Sequence, residues 1–160
     1  MTITEPTTML TDYVLTAVSF FFAVRLRQTL NQREARSVKL WMIGFLLSAL
    51  AAAVGGTFHG FTLYFTATVS KAMWNVTVFL LGACSAFMVA GTLVASIDRK
   101  SPTARWLLTG LAISGLGLVL LAAGIRLHEH FNHNDIYHCV QAVALYYFYK
   151  GARLLEDHSS

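Results

Sequence analysis

The sequence is poor in charged residues and contains long apolar segments. Only 12% of its 160 residues are Asp, Glu, Lys or Arg, and 56% are hydrophobic. A soluble globular domain usually carries about 25% charged residues. With a mean hydropathy of +0.56, the composition excludes an ordinary soluble domain and predicts an integral membrane protein. The length allows one domain, covering residues 1–160.

Cysteines are scarce too, and a basic leader is missing. Cys84 and Cys139 both fall inside predicted helices, and no Cys-x-x-Cys motif occurs, so a disulfide framework is excluded. The segment before the first apolar run, MTITEPTTMLTD, has no positive charge. A cleaved signal peptide is therefore not expected, and the first helix should stay in the mature protein.

Several apolar segments approach the ~20 residues that a membrane-spanning helix needs. They predict an all-α bundle of five transmembrane helices, at about residues 12–27, 38–59, 72–97, 104–126 and 135–155. The loops between them are short, so no soluble domain is expected.

The basic residues predict how these helices are oriented. Of the 12 Lys and Arg residues, all but Lys71 and Arg126 fall at one set of helix ends. Because basic residues accumulate on the cytoplasmic side, the N-terminus is expected outside and the C-terminus in the cytoplasm. The basic residues flank apolar spans and form no recognition motif, so no nucleic-acid partner is expected.

Five of the six histidines fall at the opposite helix ends, as do two carboxylates. His59 follows the small pair Gly55-Gly56 at the end of helix 2. His138 lies inside helix 5 in a stripe with Asp135 and Gln141, three residues to either side. Lipid cannot satisfy such polar groups, so the stripe should face the bundle interior. The remaining polar candidates at this end are Asp12, Asn75, His128, His130 and His133.

Imidazole and carboxylate groups from separate helices form a ligand set that suits zinc. We expect His59, His133, His138 and Asp135 as metal ligands. Asp135 is also a candidate general base, and Asp12 a candidate catalytic residue that orients a histidine. Simpler roles remain open for several of them. Asp135 or Asn134 can cap helix 5, which would leave His133 just before the helix; His59 can bond to a loop; and His128 and His130 can be solvated.

A histidine ending helix 2, polar residues opening helix 3 and a histidine opening the last helix resemble the CREST superfamily of membrane hydrolases, which includes alkaline ceramidases and the progestin and adiponectin receptors. The resemblance implies zinc held by three histidines, with a serine and an aspartate nearby. His59 and His138 match two of those histidines. Gly55 stands at the serine position and Asn134 at the position of the third histidine. That superfamily also has seven helices.

The chain also looks like small bacterial five-helix membrane proteins of unassigned function. The motifs TDY near the start, GGTFHGF after helix 2 and NDIYH at helix 5 carry this likeness. It implies location in the bacterial inner (plasma) membrane but no activity.

The leading functional hypothesis is a zinc-dependent hydrolase of a lipid amide or ester, with membrane lipids and a lipid-like substrate as partners. One alternative is a redox protein with haem bound by His59 and His138. Another is a non-enzymatic receptor, small channel or assembly factor. Helix 4 carries a small-xxx-small pair, Gly110 and Ser114, which predicts close packing within the bundle or a homo-oligomer contact.

Overall fold

The computed structural model describes residues 2–158, and this part of the chain is all-helical. No β-strand occurs in it, which confirms the predicted all-α class. Ser159 and Ser160 lie outside the described residues. The helices are α1 (Pro6–Leu30), α2 (Arg36–Phe61), α3 (Ala67–Val94), α4 (Pro102–Ala122) and α5 (His133–Ala152), with one 3-10 turn at Thr62–Tyr64 after α2.

The helix ends differ from those predicted because local capping groups set them. Helix α1 begins at Pro6, six residues earlier than expected, because proline fits the first turn of a helix, where no N–H is needed. The hydroxyl of Thr66 caps α3 by accepting the N–H of Val69 at 3.3 Å. Helix α4 ends four residues earlier than predicted, and Gly124 follows with a φ of +62°.

Four of the helices, α1 to α4, are long and apolar enough to cross a membrane. This fits an integral membrane protein. The sequence predicted five spans, but α5 lies outside this group. Polar residues fill its first turns, in the run HNDIYH, and tyrosines follow in its second half.

The helices pack as an open arc and not as a closed ring. Helix α2 packs against α1 and α3, and α5 packs against α1 and α4, whereas α3 and α4 do not pack on each other. Phe22 of α1 anchors the centre of the arc, with its ring stacked on Tyr149 of α5 at 4.7 Å. We call the end with His59 and His138 the histidine end, and the end with Arg33 the arginine end.

The C-terminal tail, residues 153–158, crosses the arginine end and ties three helices together. Asp157 accepts the backbone N–H groups of Arg36 at 2.6 Å and Ser37 at 2.9 Å. These are free donors at the start of α2, where Ala35 offers no side-chain cap. The tail also pairs with the end of α3, since Ser96 donates its N–H to the carbonyl of Glu156 at 2.8 Å.

We call these contacts of the C-terminal tail the clasp. Asp157→Asn should weaken the clasp at the start of α2. Partial desolvation raises the pKa of Asp157, but the hydrogen bonds from Ser37 and Arg36 outweigh it and hold the pKa below 3.8. The carboxylate therefore stabilises the fold at neutral pH. This stabilisation is lost only as the pH falls through the lowered pKa of Asp157. We expect a loss of about 1 kcal/mol, typical of a helix cap.

Thermal unfolding in detergent at several pH values would measure this loss. Glu129→Gln, in an exposed loop at the other end, is the control. Equal melting temperatures for Asp157→Asn and wild type at pH 7 would contradict the assignment.

Candidate functional site

A cavity of about 320 Å³ lies between the helices in the half of the bundle nearest the histidine end. All five helices contribute to its wall, through Asp12 of α1, His59 of α2, Trp74 of α3, Leu121 of α4 and His138 of α5. Cavities that bind small molecules measure roughly 300–1,000 Å³ and combine apolar walls with a few polar groups. This one has that character.

Two helices that do not pack on each other form part of the cavity wall. They are α3, which contributes Trp74, and α4, which contributes Leu121. Trp74 is 48% exposed.

The central polar contact joins α1 to α5. His138 Nε2 lies 3.4 Å from Asp12 Oδ1, and both side chains are almost fully buried. On the other side of the ring, Nδ1 lies 2.9 Å from Thr11 Oγ1. The Thr11 hydroxyl also lies 3.0 Å from the carbonyl oxygen of Thr8 and can donate its proton there. In that arrangement His138 Nδ1–H donates to Thr11, and Nε2 is directed at Asp12.

The second carboxylate oxygen of Asp12 has no partner. Asp12 is 5% exposed, and its Oδ2 makes no hydrogen bond with any residue from 2 to 158. A buried polar atom left unsatisfied costs about 1–3 kcal/mol, and more when it is charged. Asp12 lines the cavity, and this unpaired oxygen is buried beneath the cavity surface.

The chain's N-terminal segment orients His59. Glu5 Oε2 lies 3.1 Å from His59 Nδ1. The segment is held in place by backbone bonds from Thr4 to Gly60 (3.0 Å) and from Glu5 to His59 (3.2 Å). His59 Nε2 is then the ring nitrogen without a protein partner among the described residues, and His59 lines the cavity.

Asp135 and His133 do not line the cavity. The N-cap of α5 is Asn132, and not Asn134 or Asp135 as predicted. Asp135, at the third helical position, completes a capping box with Asn132. The fully buried Asp135 accepts the N–H of Asn132 at 2.7 Å, and its other oxygen lies 3.5 Å from Thr11 Oγ1. His133 is the first residue of the helix and does not precede it, and its Nδ1 is buried without a partner.

Of the remaining sequence candidates, Asn75, His128 and His130 lie away from the cavity, whereas Asn134 lines it. Asn75 is exposed, and its neighbour Thr77 faces the cavity in its place. His128 and His130 are exposed in a short hairpin, with their ring centroids 5.5 Å apart. Gln141 does line the cavity, and it bonds Ser114 of α4 at 3.0 Å.

Sequence reasoning gave no role to Thr11 or Glu5, the two residues that orient the histidine rings. Thr11 belongs to the motif TDY, which could have suggested it, whereas Glu5 belongs to no motif noted in the sequence. Both act on residues more than 50 positions away in the chain.

The small residues of α4 pack inside the chain. A side chain at Gly110 would meet the ring of Phe148 at 2.7 Å, and Ser114 is bonded to Gln141. The predicted close packing of this pair is therefore found between α4 and α5. A homo-oligomer contact through α4 stays a prediction.

Glycines let α1 approach α2 closely enough to bring Asp12 into the cavity. A Cβ at Gly56 would lie 2.9 Å from Asp12 Cβ and 3.3 Å from the carbonyl oxygen of Met9. One at Gly60 would collide with Met9 Sδ, and one at Gly55 would lie 3.6 Å from Asp12 Oδ2. Gly56 and Gly60 therefore set the helix separation on which the site depends, whereas a Cβ at Gly55 would make an ordinary contact.

The donor atoms fit a metal ion in part. Two ligand atoms each about 2.0–2.1 Å from a tetrahedral zinc ion stand roughly 3.3 Å apart, close to the 3.4 Å between His138 Nε2 and Asp12 Oδ1. Both cavity histidines have Nδ1 fixed by an oxygen, as metal-binding histidines do. Between residues 2 and 158, however, no three His, Cys, Asp or Glu side chains stand close enough together to hold a metal.

Comparison with known protein families assigns the chain to one of them. Residues 7–100 and 90–157 match a family described as a family of unknown function, DUF6962. The chain belongs to this family. Nothing matches among curated proteins or solved structures. The comparisons therefore agree with the likeness to proteins of unassigned function and give the CREST resemblance no support.

Gly56→Ala should disrupt the site, because the added methyl group would push α1 and Asp12 away from α2. Gly82→Ala is the matched control, since a Cβ at Gly82 of α3 would meet nothing within 4 Å. We expect Gly56→Ala to lower the melting temperature in detergent, and Gly82→Ala to keep or raise it, because alanine favours a helix by about 1 kcal/mol over glycine. Equal melting temperatures for the two variants would contradict the close approach.

Proposed function

We propose that the protein is a membrane hydrolase that cleaves the amide or ester bond of a lipid-like substrate, with a zinc ion held by Asp12, His138 and His59. The observation that carries the proposal is the buried Asp12–His138 pair, whose second carboxylate oxygen is unpaired, at the wall of the cavity. The gap between α3 and α4 would admit a lipid-like substrate from the bilayer. Intramembrane ionisable groups are costly, which favours a functional role over a structural one.

The ring environment supports zinc as the metal. Thr11 and Glu5 occupy the Nδ1 positions of His138 and His59, which leaves both Nε2 atoms as ligands. Neutral imidazole and carboxylate are ligands that zinc accepts, and a three-residue set leaves one position for substrate or water. A modest side-chain movement would have to bring His59 to the pair. When bound, zinc would polarise the scissile carbonyl and activate a water molecule.

Asp12 suits the proton-transfer role better than Asp135. Asp135 Oδ2 is engaged in capping α5, and its side chain is absent from the cavity wall. Asp12 lines the cavity, has one unpaired oxygen and lies next to His138. A rotation of the carboxylate would turn this buried oxygen toward a ligand. Oδ1 would bind the metal while Oδ2 accepts a proton from the attacking water and passes it to the leaving amine or alcohol. Thr11 would hold the His138 ring in place.

The depth of the site supports a lipid substrate. Asp12 comes six residues after the start of α1 and His138 five after the start of α5. At 1.5 Å per residue, both lie roughly 8–9 Å below the helix ends. Helix α3, with 28 residues, is about 42 Å long and matches a bilayer with its headgroups. The pair would then lie near the boundary between headgroups and hydrocarbon, where the acyl linkages of membrane lipids are found.

The proposal includes a membrane topology. With α5 crossing as a fifth span, the histidine end would face outward and the arginine end the cytoplasm of a bacterial inner membrane. The concentration of basic residues at the arginine end supports this orientation. The resemblance to the CREST superfamily supports the reaction class, although only two of its three histidines have counterparts here.

Metal analysis and lipid hydrolysis by the purified protein would test this function. We expect about one zinc per wild-type chain, and hydrolysis of a long-chain N-acyl amide or ester in detergent micelles. His138→Ala and Asp12→Asn should lose both zinc and hydrolysis. Asn75→Ala is the control, because Asn75 is a polar residue near the same depth that lies off the cavity.

Equal metal content in all four proteins would contradict the zinc site. A zinc-free protein with a Soret absorbance band would identify haem instead. A zinc-free, colourless protein that binds lipid without turnover would favour the non-enzymatic receptor.

Thr11→Val tests the orienting role separately. Valine keeps the shape of threonine but cannot bond His138 Nδ1, which now lies 2.9 Å from the hydroxyl. Loss of a partner that orients a metal ligand typically costs 10–100-fold in metal affinity or activity. We expect a loss in that range in zinc affinity, measured by competition with a chelating dye. Thr16→Val is the control, because the Thr16 hydroxyl bonds only the carbonyl of Asp12 within its own helix (3.0 Å). Unchanged affinity in Thr11→Val would remove Thr11 from the site.

A further inference from the structure

A second cavity, of about 400 Å³, lies at the arginine end, far from the site described above. It is formed between the last turns of α1, the turn that follows α1, and the end of α5. Its wall includes three arginines, Arg25, Arg33 and Arg153. Nothing in the proposed reaction uses this cavity.

One polar face of α1 forms much of its wall. Arg25, Gln28 and Thr29 of α1 line the cavity, as does Gln32 of the turn that follows. The spacing of three and four residues places the three helical residues on the same side of α1. The accumulation of basic residues at cytoplasmic helix ends accounts for the number of arginines here, but not for the glutamines or for a shared hollow.

The charges in this cavity do not balance. Within residues 2–158, Glu156 is the acidic group on the wall, and it pairs with Arg33 at 3.6 Å. Arg33 also donates to the carbonyl of Arg153 at 2.8 Å. Arg25 and Arg153 have no ion pair in this part of the chain. The C-termini of α1 and α5 each contribute the equivalent of about −0.5 charge. Three guanidinium groups then leave an excess of about one positive charge.

We propose that this cavity binds a phosphate group, presented by an anionic phospholipid headgroup or by a free phosphate compound. Guanidinium groups match phosphate oxygens with paired N–H donors. The amide groups of Gln28 and Gln32 and the hydroxyl group of Thr29 add neutral donors around the same hollow. Basic pockets between membrane helices on the cytoplasmic side are typical sites for anionic headgroups.

A ligand here would bridge three parts of the chain. Arg25 belongs to α1, Arg33 to the turn before α2, and Arg153 to the start of the tail that carries Asp157. A bound phosphate would hold these three segments together and reinforce the clasp at the arginine end. This role is independent of the proposed hydrolase activity.

Lipid binding and melting temperature in nanodiscs would test the site. The proteins are wild type, the double variant Arg25→Gln/Arg153→Gln, and the control Arg99→Gln/Lys100→Gln, which removes the same charge from an exposed loop at the same end. Phosphatidylglycerol nanodiscs are compared with phosphatidylcholine nanodiscs. Retained lipid is counted by native mass spectrometry after release, and a separate arm titrates inorganic phosphate in neutral nanodiscs.

We expect wild type and control to melt at a higher temperature in phosphatidylglycerol and to retain that lipid. The cavity variant should bind it at least roughly tenfold more weakly than the control, the loss expected for one charge-assisted hydrogen bond. In phosphatidylcholine the two variants should have equal melting temperatures, which excludes misfolding as the cause of the weaker lipid binding. If phosphate alone raises the melting temperature of wild type but not of the cavity variant, the source is a free phosphate compound. Equal weakening in both double variants, or no preference for either ligand in wild type, would overturn the proposal.

Discussion

The pairing of Asp12 with His138 is the constraint on which the arrangement of this bundle depends. Both side chains are largely buried, and a buried polar group without a polar neighbour is costly. The contact therefore fixes the position of α1 against α5. The glycines of α2 must then admit α1 at short range, since Gly56 lies directly beneath Asp12.

The two ends of the bundle are held in different ways. At the arginine end, the tail joins the start of α2 to the end of α3 through hydrogen bonds to Asp157 and Glu156. At the histidine end, no such strap connects α3 to α4, and the cavity lies between them. When helices are tied together at one end only, small tilts can widen the space between them at the other end. Such tilts would let a ligand enter the cavity at the histidine end, while the tail keeps the helices together at the arginine end.

The fold was easier to predict from the sequence than the site was. Apolar runs and flanking charges determine where helices form, and these signals are local. The polar stripe of α5 correctly indicated that Gln141 and His138 face inward, because lipid cannot form hydrogen bonds with such side chains. The partners of these residues are not local. Thr11 and His138 are 127 positions apart, and Glu5 and His59 are 54 apart. No period or motif links such pairs, so only the packed structure reveals them.

The two buried aspartates show how environment separates residues of one type. Sequence analysis favoured Asp135 over Asp12 as a metal ligand and base, since Asp135 shares a face of its helix with His138. Asn132 forms the cap of α5, so the Asp135 carboxylate is occupied by the backbone N–H of that residue. Asp12 lies a turn and a half inside α1, where every backbone N–H already has a helical partner. With no N–H to accept from, its second oxygen stays unpaired. Asp12 lines the cavity and its carboxylate is not satisfied by the backbone, which makes it a stronger candidate than Asp135 for binding a ligand.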